Sequence, residues 1–158
     1  MKSMDQLKSV IARLRAEDGC PWDREQTHES LKAACIEEAA EVVCGINVLK
    51  ETGNPENLKE ELGDLLLQIV MHAQIAEEEG FFTLDDVAEG ITEKMIRRHP
   101  HVFGDQKAGS SEEVLRNWEE IKAKEKKGKA DVSAAFLPAA MDEAKDLIDT
   151  AKRRKGYL

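Results

Sequence analysis

At 158 residues the chain is long enough for one compact domain with its own core and too short for two comfortable ones. It carries 32 acidic against 23 basic side chains, and the resulting net charge of -9 repels a phosphate backbone and argues against nonspecific nucleic-acid binding. Aromatic residues are only 4% and charged residues 35%, a balance that suits amphipathic helices rather than a β-sandwich. Cys20, Cys35 and Cys44 are an odd number without a C-x-x-C pair, so neither a disulfide framework nor a zinc site is expected, and a reducing cytoplasm fits best. The most apolar stretch, Leu65 to Met71, is interrupted by Gln68 and is far shorter than the ~20 residues of a membrane span. Met1-Lys2-Ser3-Met4-Asp5 lacks a signal-peptide core, and no membrane partner is expected.

The apolar spacing of Leu7, Val10, Ile11 and Leu14 predicts a helix over residues 3 to 18, ended by Gly19 and Pro21. Cys20 to Gln26 reads as a loop, in which Trp22 either faces a ligand or plugs the end of a bundle. Thr27 is expected to cap a second helix running to about Lys50 and stopped by Gly53-Asn54-Pro55. A third runs from near Glu56 to Glu79, where Gly80 terminates it, and the two form an antiparallel hairpin. Thr83 with Asp86 opens a fourth helix to about Arg98, which Pro100 forbids from continuing, and Ser110 with Glu113 opens a fifth through about Lys126. Lys127-Gly128-Lys129 reads as a hinge, followed by a tail helix from about Pro138 to Lys155. The basic run Lys152-Arg153-Arg154-Lys155 suits the negative end of that helix and reads as a solvated surface. No stretch alternates with period two, so no strand is expected, and the fold class is all-α.

Two acidic clusters interrupt the predicted apolar seams. At ~100° per residue, Leu31, Ala34, Glu38, Val42, Gly45 and Leu49 share a stripe of the second helix, with Glu41 at its edge one turn from Glu37. Leu58, Glu61, Leu65, Ile69, His72 and Ala76 trace the matching stripe on the third, with Asp64 on its flank. Carboxylates converging from two helices repel one another unless a cation sits among them, and an all-oxygen donor set selects Mg²⁺, with Mn²⁺ as a substitute. Because Mg²⁺ commonly takes its remaining ligands from phosphates, the pattern points to phosphate chemistry. The alternatives are solvated surface acids, or a buried ion-pair network with Lys32 or Lys59. A di-iron bundle would want two Glu-x-x-His pairs, and the only match, Glu25 to His28, straddles a loop and a helix start. His72 on the seam is either a partner of the acidic site or an ordinary core histidine.

Glu37, Glu38 and Glu41, followed by Glu61 and Asp64, resemble the E-E-x-x-E and E-x-x-D signature of the all-α nucleoside triphosphate pyrophosphohydrolases, and the likeness is closer still to their MazG branch. Cys20-Pro21-Trp22-Asp23 with Gln26-Thr27, Glu60 to Leu66, Glu77-Glu78-Glu79-Gly80, Arg97 to Phe103, and Trp118-Glu119 are similar to MazG blocks in the same order. The resemblance covers about residues 5 to 127, giving a MazG-like domain over 1–127 with 128–158 as hinge and helical tail. It implies an α-helical bundle completed as a homodimer, which hydrolyses nucleoside or deoxynucleoside triphosphates to the monophosphate and pyrophosphate with Mg²⁺. By that likeness Glu38, Glu41, Glu61 and Asp64 are metal ligands, and Glu37 holds a metal-bound water or acts as base towards it. Lys94, Arg97 and Arg98 would reach the polyphosphate, Trp118 would stack on the base, and Lys122 would reach a phosphate. Two other readings stay open: a related bundle acting on phosphoribosyl-ATP or on one dNTP such as dUTP or dCTP, and a non-catalytic helical interaction module whose acids are structural. The chain has one copy of a domain that some MazG proteins carry twice.

Overall fold

The computed structural model describes residues 3–127 and 132–158, and among these every regular element is a helix. In chain order they are α1 Ser3–Arg15, α2 Pro21–Glu25, α3 Lys32–Thr52, α4 Glu56–Glu78, α5 Leu84–Arg98, α6 Pro100–Phe103, α7 Ser111–Lys126 and α8 Val132–Arg154. No helix is long and apolar enough to cross a membrane among the described residues. The chain divides into two compact units, one running to Leu84 and including Ala139–Leu158, the other Asp85–Pro138.

The first unit is organised on α4, which packs against α1 and α3. Its core joins Ile11 of α1, Leu31 before α3, and Val70, Met71 and Ile75 of α4, with Leu7, Leu14, Leu66, Leu67 and Leu84 packed around them. Fully burying an aliphatic side chain of this size is worth about 2 kcal/mol. Two stripe residues fall outside the core: Val10, next to Ile11 and so ~100° away on the helix, and Ile69 of α4 are both exposed.

The α3–α4 hairpin turns where Gly53 takes a left-handed conformation (φ 72) and donates its N–H to Leu49 O at 2.8 Å. Asn54 Oδ1 then accepts the N–H of Glu56 at 3.0 Å and caps α4. Further up the hairpin, Gly45 faces Leu58 so closely that a Cβ on residue 45 would lie 2.8 Å from Leu58 Cα. That contact sets an antiparallel register: one to two turns back along α3 lie Glu41 and Glu38, and about one to two turns forward along α4 lie Glu61 and Asp64.

Three sequence expectations change here. α3 starts at Lys32 rather than directly after Thr27; the Thr27 cap does form, its hydroxyl accepting the N–H of Ser30 while Ser30 Oγ accepts the N–H of Thr27, and it closes the turn that leads into α3. The stretch from Cys20 to Gln26 is not all loop, because Pro21, with its φ already set, starts the short α2. The nearly buried Arg15 clamps that stretch, donating to Asp23 O and Gln26 O while pairing with Glu78 at 2.7 Å. The tail helix begins at Val132 rather than Pro138, which sits inside it. Beyond Lys127, the expected hinge lies outside the described residues.

In the second unit, Ser110 caps α7 by accepting the N–H of Glu113, and the Glu113 carboxylate accepts the N–H of Gly109 at 2.8 Å. Pro100 ends α5 and occupies the first turn of α6. None of α5, α6 and α7 contains a fully buried residue.

Candidate active site

The hairpin register brings Glu38, Glu61 and Asp64 together, with one carboxylate oxygen from each lying within 4.8 Å of the others. Glu38 and Glu61 are half-buried and Asp64 is exposed. Asn57, one turn before Glu61, donates its amide to Glu61 Oε1 at 2.8 Å and fixes that carboxylate's orientation. Burial pushes the Glu38 carboxyl above its ordinary range, and the charges of Glu41, Asp64, Glu37 and Glu61 push it the same way. An all-oxygen set that is anionic, close-packed and short of positive charge fits a hard divalent cation such as Mg²⁺.

Glu37 and Glu41 are engaged differently. Arg154 Nη2 donates to both oxygens of Glu37 at 2.7 and 2.6 Å, Lys155 reaches Glu37 at 2.9 Å, and Lys155 also pairs with Glu41. The hydrogen bond from Lys155, supported by Arg154, holds the Glu37 carboxyl below its ordinary range, and the two glutamates raise the Lys155 ammonium. The basic end of α8 is exposed, as its sequence suggests, but two of its cations also carry ion pairs to α3 that the sequence does not announce. Between it and the hairpin lies a cavity of about 420 Å³, lined by Glu37, Glu41 and Glu61 on one side and Lys152, Lys155 and Tyr157 on the other. The ion-pair alternative through Lys32 or Lys59 is not what forms: Lys32 pairs with Glu29 and Glu143, and Lys59 with Glu56. His72 is half-buried and meets His28, Nδ1 to Nδ1 at 2.8 Å, with burial first and His28 second lowering its pKa. Trp22 is exposed.

The basic set gathers in the second unit. Arg98 Nη2 and Arg97 Nε bond the two oxygens of Glu125 at 2.7 and 2.6 Å and hold that carboxyl down at about 2. The Arg98 guanidinium lies 5.2 Å from the Trp118 ring centroid, and His99 meets the same ring edge-on at 5.0 Å. Lys122 pairs with Glu119 at 3.1 Å, and Lys94 is exposed.

The MazG nucleotide pyrophosphohydrolase domain family matches residues 26–103, the span that holds both acidic clusters and Lys94, Arg97 and Arg98. The chain contains a MazG domain. It is 52% identical over 122 residues to the nucleoside triphosphate pyrophosphohydrolase/pyrophosphatase MazG of Thermotoga maritima, covering 77% of this chain and 45% of that one. It is 44% identical over 147 residues to the nucleoside triphosphate pyrophosphohydrolase of Escherichia coli, covering 89% and 54%. With the uncharacterized protein YabN of Bacillus subtilis the identity is 53% over 120 residues, covering 76% and 24%. The chain thus spans between a quarter and about half the length of these curated relatives. The crystal structure of a mazG-related protein from Thermotoga maritima matches with a TM-score of 0.60 at 29% identity, covering 75% of this chain and 98% of that one.

Trp118, Lys122, Arg154 and Lys155 all lie outside the matched MazG span. The partnership of Arg154 and Lys155 with Glu37 and Glu41 was missed from sequence, because 114 and 117 residues separate the hydrogen-bonded pairs. A usable signal was present: a basic run ending an amphipathic helix in a chain with an acidic helical hairpin.

Proposed function

We propose that the chain is a Mg²⁺-dependent hydrolase that converts nucleoside and deoxynucleoside triphosphates to the monophosphate and pyrophosphate, with Mn²⁺ as a substitute ion. The observation that carries this reading is the meeting of Glu38, Glu61 and Asp64 across the α3–α4 register, within the span that matches the MazG family. Glu38, Glu41, Glu61 and Asp64 would hold the ion, Glu41 exchanging its Lys155 partner for it. When bound, the ion supplies charge neutralisation at the phosphates and acidifies water near them.

The chain's own residues do the rest. Asn57 keeps Glu61 aimed into the site. Glu37 would orient the attacking water and accept its proton, a task for which its lowered pKa is poorly matched while Lys155 and Arg154 hold it. Weakening those pairs restores it towards an ordinary carboxylate. In their own unit, Arg97 and Arg98 would offer guanidinium groups to phosphoryl oxygens in place of Glu125, Lys94 and Lys122 would add charge, and Trp118 would present its ring to a base. The exposed Ile91, Ile96, Val102 and Phe103 of that unit support a homodimer as the working form.

The test is incubation with Mg²⁺ and a panel of NTPs and dNTPs, with products resolved by ion exchange. Monophosphate and pyrophosphate in equal amounts are expected. Release of orthophosphate and the diphosphate nucleotide excludes the reaction, and kcat/KM across bases fixes the substrate.

A further inference from the structure

We propose that the basic end of α8, centred on Lys155 with Lys152 and Arg154 beside it, is the polyphosphate-binding wall of the carboxylate site. The inference rests on the proposed activity and deepens it by naming residues outside the matched MazG span that receive the anionic part of the substrate. Its starting point is the cavity of about 420 Å³, which has carboxylates on its hairpin side and the ammonium groups of Lys152 and Lys155 on its α8 side. A ligand that is itself a dication bound to a polyphosphate presents each wall with the opposite charge.

The charge arrangement gives the two basic residues a reason to let go. Without such a ligand, Lys155 bridges Glu37 and Glu41, and Arg154 holds Glu37 through both oxygens. A dication on the carboxylates weakens their hold on these cations. Phosphoryl oxygens arriving with the dication are then the stronger partners for an ammonium and a guanidinium.

The wall is also built to stay in place. Gly156 takes a left-handed conformation (φ 75), its N–H bonds Arg153 O at 3.1 Å, and the N–H of Tyr157 bonds Lys152 O at 2.9 Å. This pair of hydrogen bonds is the Schellman closure of a helix end, and it turns Tyr157 onto the cavity. Three turns before, Glu143 of α8 pairs with Lys32 of α3 at 3.1 Å and docks the helix at a second point. A solvated basic tail would need neither the cap nor the dock.

The experiment compares the full chain with Lys155→Gln and Lys155→Arg in three measurements: steady-state kinetics at saturating Mg²⁺, calorimetric titration with MgCl₂ alone, and calorimetric titration with Mg²⁺ and a nonhydrolysable α,β-methylene NTP. Loss of one charge-assisted contact predicts that Lys155→Gln weakens the analogue and raises KM by about tenfold, the loss falling on KM more than on kcat. Lys155→Arg keeps most of the affinity. Mg²⁺ alone binds Lys155→Gln more tightly, because a competing cation is gone. Analogue binding that is unchanged or tighter in Lys155→Gln overturns the proposal and leaves the tail as a plug. Should the unsubstituted chain cleave no nucleotide, the activity reading falls while the analogue titrations still decide the wall. If circular dichroism shows Lys155→Gln unfolded, Arg154→Gln carries the same expectations with a smaller effect.

Discussion

The two units of this chain solve opposite problems. The first has a packed core around Ile11, Val70, Met71 and Ile75, and on that rigid base it gathers five carboxylates against the two cations of Arg154 and Lys155. The second has no fully buried residue in α5, α6 or α7, and among its tertiary contacts are Glu125 with Arg97 and Arg98, the Arg98 guanidinium near the Trp118 ring and His99 edge-on to it. Packing lets the first unit hold like charges at close range. In the second unit the two guanidinium groups are neighbours in the chain, and the Glu125 carboxylate that both of them bond offsets their like charge.

The sharpest way to break this contrast is to neutralise the centre of the acidic excess. Glu38→Gln is expected to cut turnover by about a hundred- to a thousandfold, and to abolish the Mg²⁺-dependent rise in thermal midpoint expected of the unsubstituted chain with a nonhydrolysable nucleotide. A folded Glu38→Gln protein with full activity would remove Glu38 from the site. Packing comes next: Ile11→Ala should cost about 3 kcal/mol in urea unfolding, whereas Ile96→Ala, on the exposed face of α5, should cost less than about 1 kcal/mol. Equal losses would mean that the second unit has a core of its own, supplied by another copy of the chain.

Glu125→Gln probes the second unit's dependence on charge. The folded-state pKa of Glu125 is depressed to about 2 from an ordinary 4.5. Its contribution is therefore present above about 4.5 and is lost as pH falls towards about 2. Hydrogen exchange in α5 and α7 should be faster in Glu125→Gln than in the unsubstituted chain at neutral pH, with the difference shrinking across that acidic window. The smallest effect has the opposite sign. Since the Glu38 carboxyl is raised, its favourable contribution to the cation-free protein is present at low pH and is lost as pH rises through its folded pKa. Glu38→Gln should then raise the cation-free thermal midpoint at neutral pH by about 2 °C, and leave it unchanged in acid.

Much of this was legible in the sequence because it is local. Helical period, the stops at Gly53 and Gly80, and the Ser110 cap depend on neighbours within one turn, and all appear where the residues place them. The meeting of Glu38, Glu61 and Asp64 was legible too, since a three-residue turn leaves two antiparallel helices little choice of register. What failed was either a competition between local signals or a long-range contact. The reciprocal cap of Thr27 and Ser30 forms, but regular helix is delayed past the turn it closes and α3 starts at Lys32. Pro138 looked like a first turn, yet the residues before it are helical as well. Arg154 and Lys155 carry no sequence mark of their distant partners. The nearness of Lys94, Arg97 and Arg98 follows from helical spacing, but the meeting of Arg98 with Trp118 and of both arginines with Glu125 does not, because contacts between separate helices leave no local mark and one acid among many has no signature.

Gly45 shows how much can depend on an absent atom. A methyl group there would press on the Leu58 backbone at 2.8 Å, and the helices would have to part to admit it. Parting them near the turn widens the gap between the acids one to two turns away, so a substitution bearing no charge would loosen the meeting of Glu38, Glu61 and Asp64. In that sense the hairpin is a caliper, and the hydrogen side chain of one residue is the stop that sets its jaws.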